Sequence, residues 1–224
     1  MSLILAALCK DDICVCADTR YVDRKWNGGY KDGFDKIYKF DSCPLIIFNH
    51  GNNKFGEKYW SDYCLDYERL GRWKGRNLKW ISEDFKGYVQ NAVLQQLNFN
   101  MKQWPDDYNV RGSGFVVCGK NIQNNILEMY EFFWKPQPVL PGMYPWSGIH
   151  LNGFGTGYDI YLKSDLNSKP DKLVNWNAFN RGQIKSELER LFSVARESKK
   201  AREREDSTAG KEFSDDFIIK SVME

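Results

Sequence analysis

An α+β sandwich, two sheets with helices outside them, is the fold class that the sequence predicts. Three observations carry it. Apolar runs of strand length open the chain, an amphipathic helical pattern occupies its middle, and the elements follow in the order strands, two helices, strands, two helices, strand. With 224 residues and 42% hydrophobic side chains, the chain is long enough to bury a substantial core. It shows no internal repeat and no linker, so residues 1–224 read as a single domain.

Taken in order, Ser2 to Cys9 and Ile13 to Ala17 are apolar without alternation, the mark of strands covered on both faces. Lys10-Asp11-Asp12 between them suits a hairpin turn. Residues 24–35, rich in Gly, Lys and Asp, read as a loop. Lys36 to Phe40 alternates as a third strand, and Leu45 to Asn49 is a fourth that stops at His50-Gly51. Helices are expected at Phe55 to Leu70 and at Ile81 to Leu97. In the second, Ile81, Phe85, Val89, Val93 and Leu97 share one face, and Ser82-Glu83-Asp84 supply a cap and first-turn acids.

Strands return at Gly114 to Gly119 and Ile126 to Trp134. Pro136 to Pro145 holds four of the seven prolines and reads as a rigid loop. A short strand near Gly148 to Asn152 leads into Gly153-Phe154-Gly155-Thr156-Gly157, where a helix starts and runs to about Lys163. After a polar loop over 164–180 come a long helix, Arg181 to Arg204, and a closing strand, Asp216 to Val222.

Charge and cysteine content exclude several function classes. A formal net charge of +2 is too small to imply a nucleic-acid partner, and the charges from Arg196 to Glu205 alternate in sign as on a solvated helix face. None of the six cysteines forms a C-x-x-C pair, and two histidines cannot complete a zinc-finger pattern, so neither a metal site nor a cofactor is expected. The cysteines lie mostly in apolar runs and read as reduced core thiols of a cytoplasmic protein. The apolar start is short and lacks a basic flank, unlike a signal peptide, and no stretch has the length of a membrane-spanning helix. An aromatic content of 15% suits a thick core or a subunit interface.

Four short motifs carry candidate chemistry. Removal of Met1 before the small Ser2 would place a hydroxyl and a free α-amine on one residue. An α-amine titrates near 7.7–8.0, so it can take the hydroxyl proton itself and no separate histidine is needed. Ala17-Asp18-Thr19-Arg20 closes the second strand, and a hairpin folding back would bring Asp18 near Ser2; the plainer alternative is a surface turn with Asp18 paired to Arg20. Lys36 shares a strand face with Tyr38 and Phe40, where it can be partly buried, pair with Asp18 and disfavour a charged terminal amine. Asn49-His50-Gly51 ends an apolar strand, and the Gly51 N–H can aim at a developing oxyanion.

In order and spacing these pieces resemble the proteasome β-subunits and their bacterial ATP-dependent protease relatives, members of the N-terminal-nucleophile (Ntn) hydrolases. Counting back from Asp18, Ser2 falls on the family's catalytic threonine without a gap. Lys36 falls on its lysine after about two inserted residues, and Gly51 on its oxyanion glycine. Gly155-Thr156-Gly157 is similar to the family's Gly-Ser-Gly, and Asp206 with Ala209-Gly210 to its Asp-x-x-Ser-Gly, Ala209 replacing a serine that helps hold the amine. The resemblance implies a four-layer αββα sandwich, an amide-bond hydrolase with Ser2, Asp18, Lys36, Gly51, Thr156 and Asp206 as its site, and Arg20 as an ion-pair partner of Asp206. It also implies peptide or protein substrates and homo-oligomers, rings among them, and it leaves any ATPase partner open. Ser in place of Thr, together with Ala209, leaves two alternatives: an impaired subunit acting in assembly or binding, and an amidase or acyltransferase on non-peptide amides.

Overall fold

The computed structural model describes residues 3–9, 11–22, 29–103, 113–134, 142–146, 151–154, 179–204 and 213–224. Its elements, in chain order, are β1 (Ile4–Leu8), β2 (Ile13–Asp18), β3 (Tyr21–Val22), β4 (Tyr30–Lys31), β5 (Ile37–Lys39), β6 (Leu45–Gly51), β7 (Lys54–Phe55) and β8 (Lys58–Tyr59). There follow α1 (Trp60–Leu70), α2 (Leu78–Gln103), β9 (Ser113–Lys120), β10 (Leu127–Trp134), β11 (Gly142–Trp146), β12 (Leu151–Phe154), α3 (Arg181–Glu203) and β13 (Phe217–Ser221). The class is α+β, with two main sheets, each antiparallel throughout. Among the described residues, no helix is long and apolar enough to cross a membrane.

The chain divides into two compact units, Met1–Lys36 with Gly148–Met223, and Ile37–Ser147 with Glu224. The first holds the four-stranded sheet β12-β1-β2-β13. Every residue of β1 and β2 is buried, as their unbroken apolar runs require. Leu3, Leu5, Ala7 and Cys9 on one face, with Cys14 and Cys16 opposite them, pack with Ile184, Leu188, Leu191, Phe192 and Ala195 of α3. Those α3 positions recur at three- and four-residue spacing, one stripe of a helix. The hairpin turn closes where Cys9 N–H donates to Asp12 O, 2.9 Å. The buried Asp12 carboxylate accepts the Ile13 and Met223 N–H groups and the Ser221 hydroxyl, tying the end of the chain to the start.

The second unit holds the five-stranded sheet β11-β10-β9-β6-β5 with α1 and α2. Its core is aromatic: Phe115 lies against Phe55, Trp60, Phe85 and Trp134 at ring separations of 5.5–6.4 Å. The expected apolar stripe on α2, Ile81, Phe85, Val89, Val93 and Leu97, is buried. All six cysteines are free, and all but Cys43 are buried.

Several expectations are corrected. The first helix begins at Trp60 rather than Phe55, because Lys54–Phe55 and Lys58–Tyr59 pair as a tight hairpin whose turn carries Gly56 at φ 62°. Asp62 then accepts the Tyr59 N–H at 2.8 Å and starts the helix. The second helix is capped by Asn77, whose Oδ1 takes the Trp80 N–H at 2.8 Å, rather than by Ser82, which is buried inside it. Tyr30–Lys31, read as loop, pairs with Tyr21–Val22. Pro145, read as loop, pairs with Tyr130 in β11; β11 is an edge strand, where a residue without an N–H is tolerated. The strand expected at Gly148 to Asn152 is β12, three residues later, so Gly153 and Phe154 are strand and not helix. The rest of that expected helix lies outside the described residues.

Candidate active site

The β1–β2 ladder decides what surrounds Asp18. Ile4 pairs with Ala17, so Leu3 stands opposite Asp18 at the next rung, and the Asp18 N–H donates to Leu3 O at 2.9 Å. The returning bond does not go to main chain. The Leu3 N–H donates instead to Asp18 Oδ1 at 2.7 Å. The same Oδ1 accepts Lys36 Nζ at 2.7 Å, and both side chains of this ion pair are fully buried. The second carboxylate oxygen accepts the Arg20 N–H at 3.0 Å and the Ser214 N–H at 3.4 Å. Asp18 is therefore a fully bonded buried anion and not a surface turn residue.

Lys36 reaches this position because the chain is clipped on its way back. Phe34 N–H donates to Thr19 O at 2.9 Å, Tyr21 stacks on Phe34 at 5.6 Å, and Lys220 pairs with Asp35 at 2.5 Å. Arg20 makes a two-pronged pair with Asp32 at 2.8 and 2.9 Å and lies 3.7 Å over the Tyr30 ring. Burial pulls the Lys36 pKa below the ordinary lysine value, while the charge and hydrogen bond of Asp18 pull it back up without fully offsetting burial. The hydrogen bond from Arg20 holds the Asp32 carboxyl below the usual range.

Of the residues singled out in the sequence, the structure thus brings Asp18 and Lys36 together beside Leu3. Gly51 ends β6 in the other unit, at φ 97°. Ser2, Thr156, Asp206 and Ala209 lie outside the described residues, as does the expected pairing of Arg20 with Asp206.

No family model matches the sequence, and no curated protein matches it either. Solved structures do. Anbu (ancestral beta-subunit) from Yersinia bercovieri is similar at 8% identity, over 98% of this chain and 80% of that one, with a TM-score of 0.59. Anbu from Hyphomicrobium sp. strain MC1 is similar at 12% identity over 97% and 80%, with a TM-score of 0.58. The helical assembly of the Anbu complex from Pseudomonas aeruginosa is similar at 12% identity over 98% and 80%, with a TM-score of 0.56. The chain shares the fold of these Anbu proteins. At these identities the likeness is one of fold.

The sequence reading missed Ser214. Its hydroxyl accepts the Thr19 N–H at 2.9 Å, lies 3.0 Å from Thr19 Oγ1 and donates to Asp216 O at 2.6 Å, while its N–H reaches Asp18. The segment after α3 thereby backs the Asp18–Lys36 pair. A serine 196 residues from Asp18 in sequence carries no local signal that would announce this contact. Asp32 was missed for the opposite reason, since it lay in a stretch dense with charges where any pairing with Arg20 was as good as another.

Proposed function

We propose that the chain, working as a single domain, is an amide- or peptide-bond hydrolase with Ser2, freed by removal of Met1, as its nucleophile. The observation that carries this reading is the double grip of Asp18 Oδ1. One buried oxygen holds the Lys36 ammonium and the N–H of Leu3, each at 2.7 Å. One peptide bond joins that N–H to Ser2, so covalent geometry alone keeps the Ser2 amine and hydroxyl within about 5 Å of the Leu3 nitrogen.

The chemistry follows from those groups. Ser2 Oγ adds to the substrate carbonyl carbon as its proton passes to the α-amine. The protonated form of Lys36, kept beside Asp18, opposes a second positive charge nearby and so favours the neutral, proton-accepting amine. The tetrahedral adduct then loses the leaving amine, which takes its proton from the α-ammonium, and an ester remains on Ser2. Water, deprotonated by the same amine, hydrolyses that ester. The resemblance gives the oxyanion role to the Gly51 N–H, and the outer support of the amine to Thr156 and Asp206.

Self-association is the partner this reading expects, in line with the helical assembly formed by the Pseudomonas aeruginosa protein. Six free thiols suit a reducing compartment such as the cytoplasm. The test is intact mass before and after a peptidyl epoxyketone, a reagent that needs a hydroxyl and an amine on one residue. Loss of Met1 and one adduct mapped to Ser2 are expected, with none in Ser2→Ala. A retained Met1 would turn the assignment toward a binding or assembly subunit.

A further inference from the structure

We propose that His50 is a positioning residue, its ring pinning the peptide plane that carries the Gly51 N–H. The inference deepens the hydrolase reading above and rests on it.

The direction of that N–H follows from strand pairing. Phe40 N–H donates to Leu45 O at 3.0 Å, continuing the β5–β6 register, so the main-chain groups of Leu45, Ile47 and Asn49 face β5. Those of Ile46, Phe48 and His50 face β9, where His50 stands opposite Gly114. The His50 carbonyl therefore points toward β9. A planar trans peptide turns the next N–H the opposite way, so the Gly51 donor points to the β5 side. There β5 begins only at Ile37, opposite Phe48, three residues short of Gly51. The donor sits on the final rung of β6, where a strand frays most readily.

The His50 side chain holds that rung on three sides. Its ring stacks on Phe133 of β10, centroids 5.5 Å apart and planes 11° from parallel. Its Nε2 lies 3.2 Å from Glu131 Oε1, close enough for an ion pair when protonated, though without the alignment of a hydrogen bond. Beneath it lies Gly114: a Cβ there would come within 2.3 Å of Nε2 and 2.4 Å of Cε1. The ring thus occupies the hollow that a missing side chain leaves, in register across β6, β9 and β10. A strand-end histidine needs none of this for solubility. It gives the peptide before Gly51 a fixed plane before any carbonyl arrives, as a donor stabilising developing charge requires.

The experiment is a time course of Ser2 modification by the peptidyl epoxyketone, read by intact mass, because attack on its ketone also creates an oxyanion. In His50→Ala the maximal rate constant should fall about 10-fold or more, with the half-saturating concentration within about 3-fold of wild type, since the donor acts on developing charge and not on ground-state binding. His50→Phe, which can stack on Phe133 in the same hollow, should restore the rate to within about 3-fold. His50→Gln, read by the same criteria, replaces His50→Ala if that variant shows no cooperative unfolding. An unchanged maximal rate, or a change confined to half-saturation, overturns the inference while the hydrolase reading stands. A wild-type protein that takes up no reagent removes that reading and this inference with it.

Discussion

The ion pair Asp18–Lys36 in one unit and the contact His50–Glu131 in the other are built on opposite terms. The first is wholly buried, and its carboxylate takes four hydrogen-bond donors, so each charge is replaced in kind for the water it lost. The second keeps side-chain exposures of 14% and 16% and lacks hydrogen-bond alignment. Its ring is held by stacking and shape more than by charge. The difference separates two ways of holding a functional group. A buried charge is fixed by satisfying every bonding site and is costly to disturb, whereas a strand-end ring is fixed by fit and contributes little to stability.

Breaking the buried pair is the largest predicted effect. Lys36→Met strands the Asp18 carboxylate, and a loss of about 3–5 kcal/mol is expected from urea denaturation, with Ser2 modification suppressed as well. The companion double variant, Asp18→Leu with Lys36→Met, should regain most of that stability and none of the reactivity. Equal destabilisation in the single and double variants would contradict the argument that the unpaired charge is what costs. Next in size is Ser214→Ala, which removes the hydroxyl bonded to the Thr19 N–H and to Asp216 O. The Thr19 N–H also reaches Asp216 O at 3.2 Å and keeps that acceptor, so a loss of about 0.5–1.5 kcal/mol, the net contribution of a hydrogen bond, is expected, and a midpoint shift within error would count against the backing role.

A pH series sharpens the contrast further with Glu68, a partly exposed carboxylate. Burial alone would raise its pKa, but hydrogen bonds from the Ser42 hydroxyl, the Tyr38 hydroxyl and the Ser42 and Asp41 N–H groups outweigh burial and lower it. Its folded pKa is thus depressed below the ordinary glutamate value. The stability it adds is present above the unfolded value near 4.3 and is lost as pH falls through the lower folded value. Glu68→Gln should flatten that part of the stability curve, and an unaltered acid limb would show the bonds contribute nothing. Smallest is Glu131→Gln, expected to move stability by less than about 1 kcal/mol, with whatever effect remains fading in high salt.

The legible parts of the molecule were those with a strong local signal. Unbroken apolar runs specify β1 and β2, five apolar residues at four-residue spacing specify α2, and the Gly-bounded run 114–119 and the mostly apolar run 126–134 specify β9 and β10. Asp18 and Lys36 were legible together because a hairpin must return one beside the other strand, and because a lysine in an alternating aromatic stretch has a buried face available. β11, at the end of a Pro-rich stretch, was not, since only the sheet around it shows that it is an edge strand, where a residue without an N–H is tolerated. The hairpin at Lys54–Tyr59 was hidden beneath a helical pattern that local propensity allowed to begin too early.

By itself, then, the sequence determined the class of fold and put Asp18, Lys36 and the candidate nucleophile next to Leu3 forward as one group, because periodicity and chain connectivity are local properties. Tertiary structure alone decided that Asp18 spends one oxygen on both Leu3 and Lys36, that Ser214 closes the shell from the far end of the chain, and that Gly114 makes room for His50. Each of these depends on which residues meet across strands distant in sequence. That is settled by how whole sheets register and pack, a property no window of the sequence contains.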